Sequence, residues 1–209
     1  MRGDIAGHLE QTPLTTLALF SVTHTSKGLD TKKRGYQLIT GDLGRRLIRE
    51  AHVRGTRVEI VYSSFGAARN RNLLTNETRQ QRVIDALVDL VGEMRTDGVN
   101  VDIEALDPTL VPAYLSFVER LRAAIRGADP DDQVSVATGA GPLGAAMAVA
   151  ADQAGADRIF LMGYDYRVAG SSPGASAPLE RSDGGDRDLR WSLDLYATLG
   201  VPPEKLLLG

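Results

Sequence analysis

Segments typical of β-strands alternate with segments typical of α-helices along the whole chain of 209 residues. The helical segments carry stripes of apolar residues at helical spacing, as in residues 83–94. An alternation of this kind predicts a parallel sheet whose strands are joined by helices. The six candidate strands cover residues 14–22, 57–63, 97–104, 133–138, 158–164 and 205–208.

A parallel sheet of this kind either stays open and doubly wound or closes into an eight-stranded barrel. No GxGxxG turn follows the first strand, which disfavours a dinucleotide-binding open sheet. Polar residues end two strands instead: Glu104 ends the third, and Tyr164 and Asp165 end the fifth. Because active sites of α/β barrels lie at the carboxyl ends of the strands, the sequence favours a barrel. The six candidate strands are too few, since a closed barrel needs eight strands, typically in about 250 residues.

The third candidate strand, DGVNVDIE (97–104), carries polar side chains where a buried strand is normally apolar. Successive side chains point to opposite faces, so Asn100, Asp102 and Glu104 share one face. Burying unpaired carboxylates costs on the order of several kcal/mol each. A solvated edge strand would avoid this cost, but helical patterns lie on both sides of the strand. The polar row therefore predicts a functional site.

This same stretch resembles the DxxDxDxE signature of family-18 glycoside hydrolases, the chitinase-like enzymes. Asp97, Asp102 and Glu104 stand at three of its acidic positions, and Asn100 takes the place of the middle Asp. The signature is eight residues long and fixed at several positions, so the match is specific.

A second stretch, MGYDY, is similar to the MxYD motif that the same family carries on a later strand. Met162, Tyr164 and Asp165 match its fixed positions. The two motifs follow one another in the family's order, which is hard to reach by chance.

The resemblance implies an α/β fold, an incomplete (β/α)8 TIM barrel of about six parallel strands with outer helices. LTTLALFSV is similar to the family's second strand, and VPPEKLLLG is similar to the lead into the seventh. VEIVYSSFG loosely resembles the third, where Ser64, Phe65 and Gly66 match the SxGG region and Ala67 replaces its last Gly. We therefore expect residues 1–209 to form a partial catalytic TIM-barrel domain that lacks the first strand, most of the seventh and all of the eighth.

Cleavage of a glycoside needs an acid that protonates the departing oxygen. Glu104, nearest the barrel mouth, is the predicted general acid, and Asp102 lies roughly 7 Å back along the same face. Two carboxyls this close do not readily ionise together, so one keeps a proton near neutral pH. By resemblance the substrate's own 2-acetamido oxygen is the nucleophile, which Asp102 would orient. Tyr164 would donate a hydrogen bond to the acetamido carbonyl.

The remaining motif residues receive supporting roles from the resemblance. Asp165 would contact the sugar or its acetamido group, and Met162 and Asn100 would help to bind substrate. Asn100 and Asp97 would also support the acidic row from within the barrel.

Each assignment has a structural alternative. Glu104 could form a salt bridge, Asp102 a buried structural hydrogen bond, and Tyr164 could be a core side chain. Asp97 precedes Gly98, and a turn residue explains it better than contact with substrate does.

Three functions compete. The first is hydrolysis of β-1,4-linked N-acetylglucosamine polymers, chitin or peptidoglycan, by a retaining, substrate-assisted mechanism. The second is a sugar-binding pseudoenzyme, although family lectins of that kind usually lack the terminal Glu. The third is a carboxylate site that holds Mg²⁺ and handles phosphate, which the MGYDY match disfavours.

Composition excludes several classes of function. The net charge of −3 and the lack of a basic run argue against nucleic acid as a partner. The chain has no Cys, so disulfides and thiolate metal sites are excluded. No apolar run reaches the roughly 18 residues of a membrane span, and the start lacks a signal-peptide pattern. Aromatic residues make up 5%, which is low for a protein that stacks sugars on rings.

No cofactor and no metal site are expected, and we expect a monomer. His8, His24 and His52 are too scattered to share a metal. The segment with Asp183, Asp186 and Asp188 lacks the spacing of a calcium loop and reads as solvated. The sequence leaves localisation open, and the family resemblance implies an extracellular or cell-wall location.

Overall fold

The computed structural model describes residues 7, 11–167, 170, 173–181, 185 and 187–209. The strands in this part of the chain are β1 (Thr16–Val22), β2 (His24–Thr25), β3 (Gly28–Leu29), β4 (Arg57–Phe65), β5 (Gly98–Glu104), β6 (Gln133–Gly139), β7 (Arg158–Met162) and β8 (Leu206–Leu208). The helices are α1 (Arg34–Thr40), α2 (Asp42–Val53), α3 (Ala67–Leu74), α4 (Glu77–Met94), α5 (Val111–Ala128), α6 (Pro142–Gln153) and α7 (Leu189–Thr198). Two short 3-10 turns cover Pro108–Leu110 and Pro203–Lys205.

Six of the strands form one parallel sheet in the order β1-β4-β5-β6-β7-β8, and β2 pairs with β3 in a separate hairpin. Each strand of the large sheet lies beside the strand that precedes it in that sheet along the chain, so the order never reverses. The doubly wound alternative is therefore excluded, and the predicted incomplete barrel is confirmed. Within the described residues, β1 and β8 are the two edges of the sheet and do not pair with each other.

The two faces of the sheet have different surroundings because side chains alternate along each strand. On the outer face, Val101, Val136 and Ile159 are fully buried in one apolar core that includes residues of the surrounding helices. On the inner face, residues from all six strands line a cavity of about 560 Å³. The polar row of β5 faces this cavity, which explains how a strand with apolar neighbours carries acidic side chains.

Two stretches that the sequence indicates as loops contain regular structure. Residues 23–41 include the β2–β3 hairpin and α1, and residues 66–76 include α3. α1 buries only Ile39, and α3 buries Asn70, Leu73 and Leu74. Neither helix has a continuous apolar stripe, so periodicity could not reveal them. Of the long predicted loop 168–188, the structure describes residues 170, 173–181, 185, 187 and 188, and none of these lies in a helix or strand.

We expect the substitution Gly98→Ala to destabilise the folded protein strongly. Gly98 begins β5 with φ 139°, which side chains with a Cβ rarely adopt, and a Cβ there would lie 1.9 Å from the Gln133 carbonyl oxygen. Strain and overpacking together should lower the free energy of unfolding by about 3 kcal/mol or more, measured by urea denaturation.

Gly92→Ala is the matched control for this substitution. Gly92 is exposed within α4, and a Cβ there would have no atom within 4 Å. Replacing a helical glycine should raise the free energy of unfolding by about 0.5–1 kcal/mol. Equal stability of the two alanine variants would contradict the account of β5.

Candidate active site

Glu104 is the last residue of β5 and its side chain is exposed to solvent. The next residue, Ala105, has φ 57°, so the chain turns away directly after the strand. The carbonyl oxygen of Glu104 accepts hydrogen bonds from the Gly66 amide at 3.2 Å and from Asn70 Nδ2 at 2.6 Å. These two donors follow β4 in the chain, and they hold the end of β5 that carries the Glu104 side chain at the mouth.

Asp102 lies two residues before Glu104 and is almost fully buried on the inner face. Its Oδ1 atom is buried and has no hydrogen-bond partner among the described residues. Burial, followed by the nearby charge of Glu104, raises the pKa of Asp102 to about 6. In the free protein, Asp102 therefore takes up a proton at a higher pH than an ordinary carboxyl does.

Tyr164 and Asp165 follow β7 at the same end of the sheet. The Tyr164 side chain is 40% exposed, so it is not a core tyrosine. Partial burial raises the pKa of Tyr164, and the charges of Asp102, Asp165 and Glu104 raise it further. Tyr164 also lines the interior cavity of about 560 Å³ together with Asp102. Asp165 is exposed and has φ 61°.

A cavity of about 400 Å³ at the mouth brings these groups together. Glu104, Met162, Tyr164 and Asp165 line it. The other lining residues are Gly139, Ala140, Gly141, Tyr166, Arg187 and Trp191.

Trp191 was not identified as a site residue from the sequence. It lies in the first turn of α7, half-buried, with the Arg187 guanidinium 5.3 Å from its ring centroid. The one signal was that it is the single Trp of the chain. An indole in a wall of the cavity offers an apolar plane of the kind on which sugar rings stack.

Asn100 lies deeper on the inner face, outside the mouth cavity. Its Nδ2 donates to Ser135 Oγ at 2.7 Å, and Ser135 Oγ donates to Glu59 Oε2 at 2.5 Å. Glu59 is buried, and this burial raises its pKa. Sequence analysis missed Glu59, although an acidic residue within the apolar strand RVEIVYS was a usable signal. The three side chains form a polar layer beneath Asp102.

Asp97 lies at the opposite end of β5 from Glu104. Its Oδ2 accepts a hydrogen bond from the Val58 amide at 2.6 Å and lies 2.8 Å from His52 Nε2. The carboxylate joins the start of β5 to β4 and α2. Its contacts are those of a structural residue at the amino end of the strand, away from the cavity at the mouth.

The structure places the two serines of the SxGG-like region on opposite faces of β4. Ser64 is fully buried on the outer face of β4 and donates to Asn70 Oδ1 at 2.7 Å. Ser63 is the inner-face residue instead, in register with Asp102, and its hydroxyl lies 3.0 Å from Ser21 Oγ. Successive side chains of a strand point to opposite faces, so Ser64, the serine of the loose match, points away from the inner face.

His24 and His52 have different partners and do not share a site. The Tyr62 hydroxyl is hydrogen-bonded to His24, and the Asp97 carboxylate lies beside His52. His8, Asp183 and Asp186 lie outside the described residues. In the part of the chain that the structure describes, no group of three or more His, Asp or Glu side chains could hold a metal ion. None of the helices described there is both long and apolar enough to cross a bilayer.

The model of the family described as "Glycosyl hydrolases family 18" matches residues 47–209 of this chain. Both acidic motifs and the mouth cavity lie within that range. Comparison with curated protein sequences gives no match.

Solved structures of chitinases and related glycosidases share the fold. Catalytic domain 2 of the Group II chitinase from Ostrinia furnacalis aligns with a TM-score of 0.81 at 15% identity, covering 98% of this chain and 58% of that one. The spore cortex-lytic enzyme SleL from Bacillus cereus aligns with a TM-score of 0.76 at 18% identity, covering 99% and 46%.

A family 18 N-acetylglucosaminidase from Paenibacillus barengoltzii aligns with a TM-score of 0.77 at 19% identity, covering 98% of this chain and 65% of that one. The chain thus spans between about half and two thirds of the length of these relatives. At such identities the likeness shows the fold alone.

Proposed function

Because the chain belongs to family 18 of the glycosyl hydrolases, we propose that it supplies the catalytic residues of an enzyme that hydrolyses β-1,4-linked N-acetylglucosamine polymers. The substrate is chitin or the glycan of peptidoglycan. The observation that carries this proposal is the cavity at the barrel mouth, where an exposed Glu104 lies above a buried Asp102 of raised pKa and beside the Tyr164 hydroxyl.

In the proposed reaction Glu104 protonates the departing glycosidic oxygen. The acetamido oxygen of the sugar attacks its own anomeric carbon, and positive charge spreads onto the acetamido group. Asp102 orients that group and stabilises the charge with its unpaired buried oxygen. Tyr164 donates a hydrogen bond to the acetamido oxygen. Water then opens the intermediate ring with retention of configuration, and Glu104 acts as the base in this second step.

The cavity walls support the binding of a sugar chain. The Trp191 ring offers a stacking surface, while Met162 and Asp165 line the same space. Asn100 acts one layer below by holding Ser135, and Asp97 supports the start of β5. We further propose that residues 1–209 belong to one barrel domain, and that the protein acts as a monomer on extracellular or cell-wall polysaccharide.

We expect the variant Tyr164→Phe to lower kcat about tenfold or more on an N-acetylated oligosaccharide, with a smaller change in KM. Removing one hydroxyl leaves the packing intact, and a lost transition-state hydrogen bond reduces turnover more than substrate binding. The assay uses the natural protein that carries this chain and compares the N-acetylated oligosaccharide with its deacetylated form. The wild type should cleave the first substrate far faster than the second.

Tyr36→Phe is the control, because Tyr36 lies in α1 and does not line the cavity. Equal cleavage of both substrates, or full activity of the Tyr164 variant, would reject the substrate-assisted mechanism. Binding of the oligosaccharide with no cleavage by the wild type would favour the sugar-binding pseudoenzyme instead.

A further inference from the structure

Asn70 is a fully buried polar residue to which neither sequence motif assigns a role. It lies in the first turn of α3, and its backbone amide donates to the Gly66 carbonyl at 3.0 Å. Its side chain leaves the helix and spans the gap to the end of β5. Both ends of its amide group are bonded: Nδ2 donates to the Glu104 carbonyl at 2.6 Å, and Oδ1 accepts from Ser64 Oγ at 2.7 Å.

The carbonyl that Asn70 holds has little other support. The parallel pairing of β5 with β6 ends at Asp102, two residues before Glu104. On the other side, the Gly66 amide makes the second, longer bond to this carbonyl at 3.2 Å. The chain then turns at Ala105 with φ 57°. Glu104 is in register with Phe65 of β4, so the last residue of β5 is held from the β4 side, and the two donors to its carbonyl come from the β4–α3 junction.

The orientation of the Asn70 amide is fixed by the Glu104 carbonyl. A carbonyl oxygen only accepts hydrogen bonds, so Nδ2 must face Glu104, and Oδ1 is left to accept from the buried Ser64 hydroxyl. A buried amide whose two ends are both satisfied has little freedom to move. This arrangement makes the Ser64–Asn70 pair a rigid brace between α3 and the strand that carries the predicted acid.

We propose that Asn70 is the positioning residue of Glu104, which sets the place of the acid through the backbone carbonyl without touching substrate. The inference rests on the proposed function, since it concerns the same acid. A displacement of about 1 Å in a reacting group can cost on the order of 10²-fold in rate. Loss of the brace should therefore lower kcat, while the walls that bind sugar stay intact.

The test is the variant Asn70→Asp in the natural protein that carries this chain. An ionised carboxylate cannot donate to the Glu104 carbonyl, whereas a protonated one can. We expect kcat at pH 7 to fall about 10- to 100-fold with KM changed by less than about threefold. We also expect the loss of kcat relative to wild type to shrink as the pH is lowered, because protonation restores the donor.

Two controls separate positioning from general stability. Asn72→Asp places the same carboxyl on the exposed side of α3, two residues away, and should keep kcat within about twofold of wild type. Leu73→Ala removes a fully buried side chain from the same helix and destabilises the fold without touching the carbonyl. Under conditions where it stays folded, it should retain kcat.

A second measurement covers the case in which the Asp variant fails to fold or the wild type shows no hydrolysis. In Asn70→Ala, the ¹³C resonances of the Glu104 backbone carbonyl and side-chain carboxyl should both shift, while Leu73→Ala leaves them in place. If the wild type shows no hydrolysis but the Glu104 resonances shift in Asn70→Ala, the proposed function is refuted and the brace is supported. Active wild type with unchanged kcat in Asn70→Asp, or unchanged Glu104 resonances in Asn70→Ala, refutes the brace alone.

Discussion

Glu104→Gln should remove nearly all hydrolysis of an N-acetylated oligosaccharide while binding of the sugar persists. The amide keeps the size and the exposed position of the side chain at the mouth but cannot transfer a proton to the departing oxygen. General acid catalysis alone contributes roughly 10²–10⁴-fold, so kcat should fall within or beyond that range. The measurement is steady-state hydrolysis together with calorimetric titration of the same oligosaccharide.

Glu119→Gln is the matched control, because Glu119 is an exposed glutamate of α5 that does not line the cavity. It should retain wild-type kcat. If the Glu104 variant kept activity within a factor of a few, another group would have to be the acid and the proposed mechanism would fall.

Asp102→Asn is expected to lower activity and to raise stability at the same time. The amide keeps the shape but loses the negative charge that stabilises the charged acetamido group. Loss of one preorganised electrostatic partner of this kind typically costs about 10²–10³-fold in kcat. A decrease of less than tenfold in steady-state turnover at pH 7 would mean that Asp102 is a structural residue.

The stability difference between the wild type and this variant should depend on pH in a defined direction. Burial raises the pKa of Asp102 in the folded protein to about 6, above its value in the unfolded chain. The folded state therefore binds the proton more tightly, and the stabilisation from that proton is lost as the pH rises from about 4 through 6.

Above pH 6 the wild type holds a buried carboxylate, and Asp102→Asn should be more stable by on the order of 1 kcal/mol after allowance for solvent screening. Near pH 4 the difference should be smallest. Thermal unfolding of both proteins at pH 4 and pH 7.5 measures this. A variant that is less stable than wild type at pH 7.5 would indicate that the Asp102 carboxylate has a partner that compensates its burial.

The sheet and the acidic row could be predicted because both follow from local alternation. β5 has apolar residues on one face and polar residues on the other, and this period of two places Asp102 and Glu104 on the same face. Parallel strands also place their carboxyl ends at one edge, so Tyr164 could be expected near Glu104 without knowledge of the strand order.

The rest of the site depends on contacts between distant segments, which local patterns do not record. Trp191 reaches the cavity because α7 packs beside the ends of β6 and β7, and Asn70 reaches Glu104 across the β4–α3 junction. Glu59 lies beneath Asp102 only because β4, β5 and β6 face one interior. The faces of Ser63 and Ser64 could not be predicted for a different reason: a loose match of four residues does not fix the face of a strand.

The strand order also bears on how the chain folds. In the large sheet, every strand pairs with the one that precedes it in that sheet along the chain, so each new pairing closes a segment of roughly 20–50 residues. Loop-closure entropy changes by only about 0.6 kcal/mol for each doubling of length, so no single pairing is much costlier than the others. Each strand–helix unit can therefore dock on the preceding one as the ribosome releases it, without waiting for a later strand to arrive. A doubly wound sheet with the same elements would have to insert or append strands on both sides of its first strand, and it could not grow in one direction.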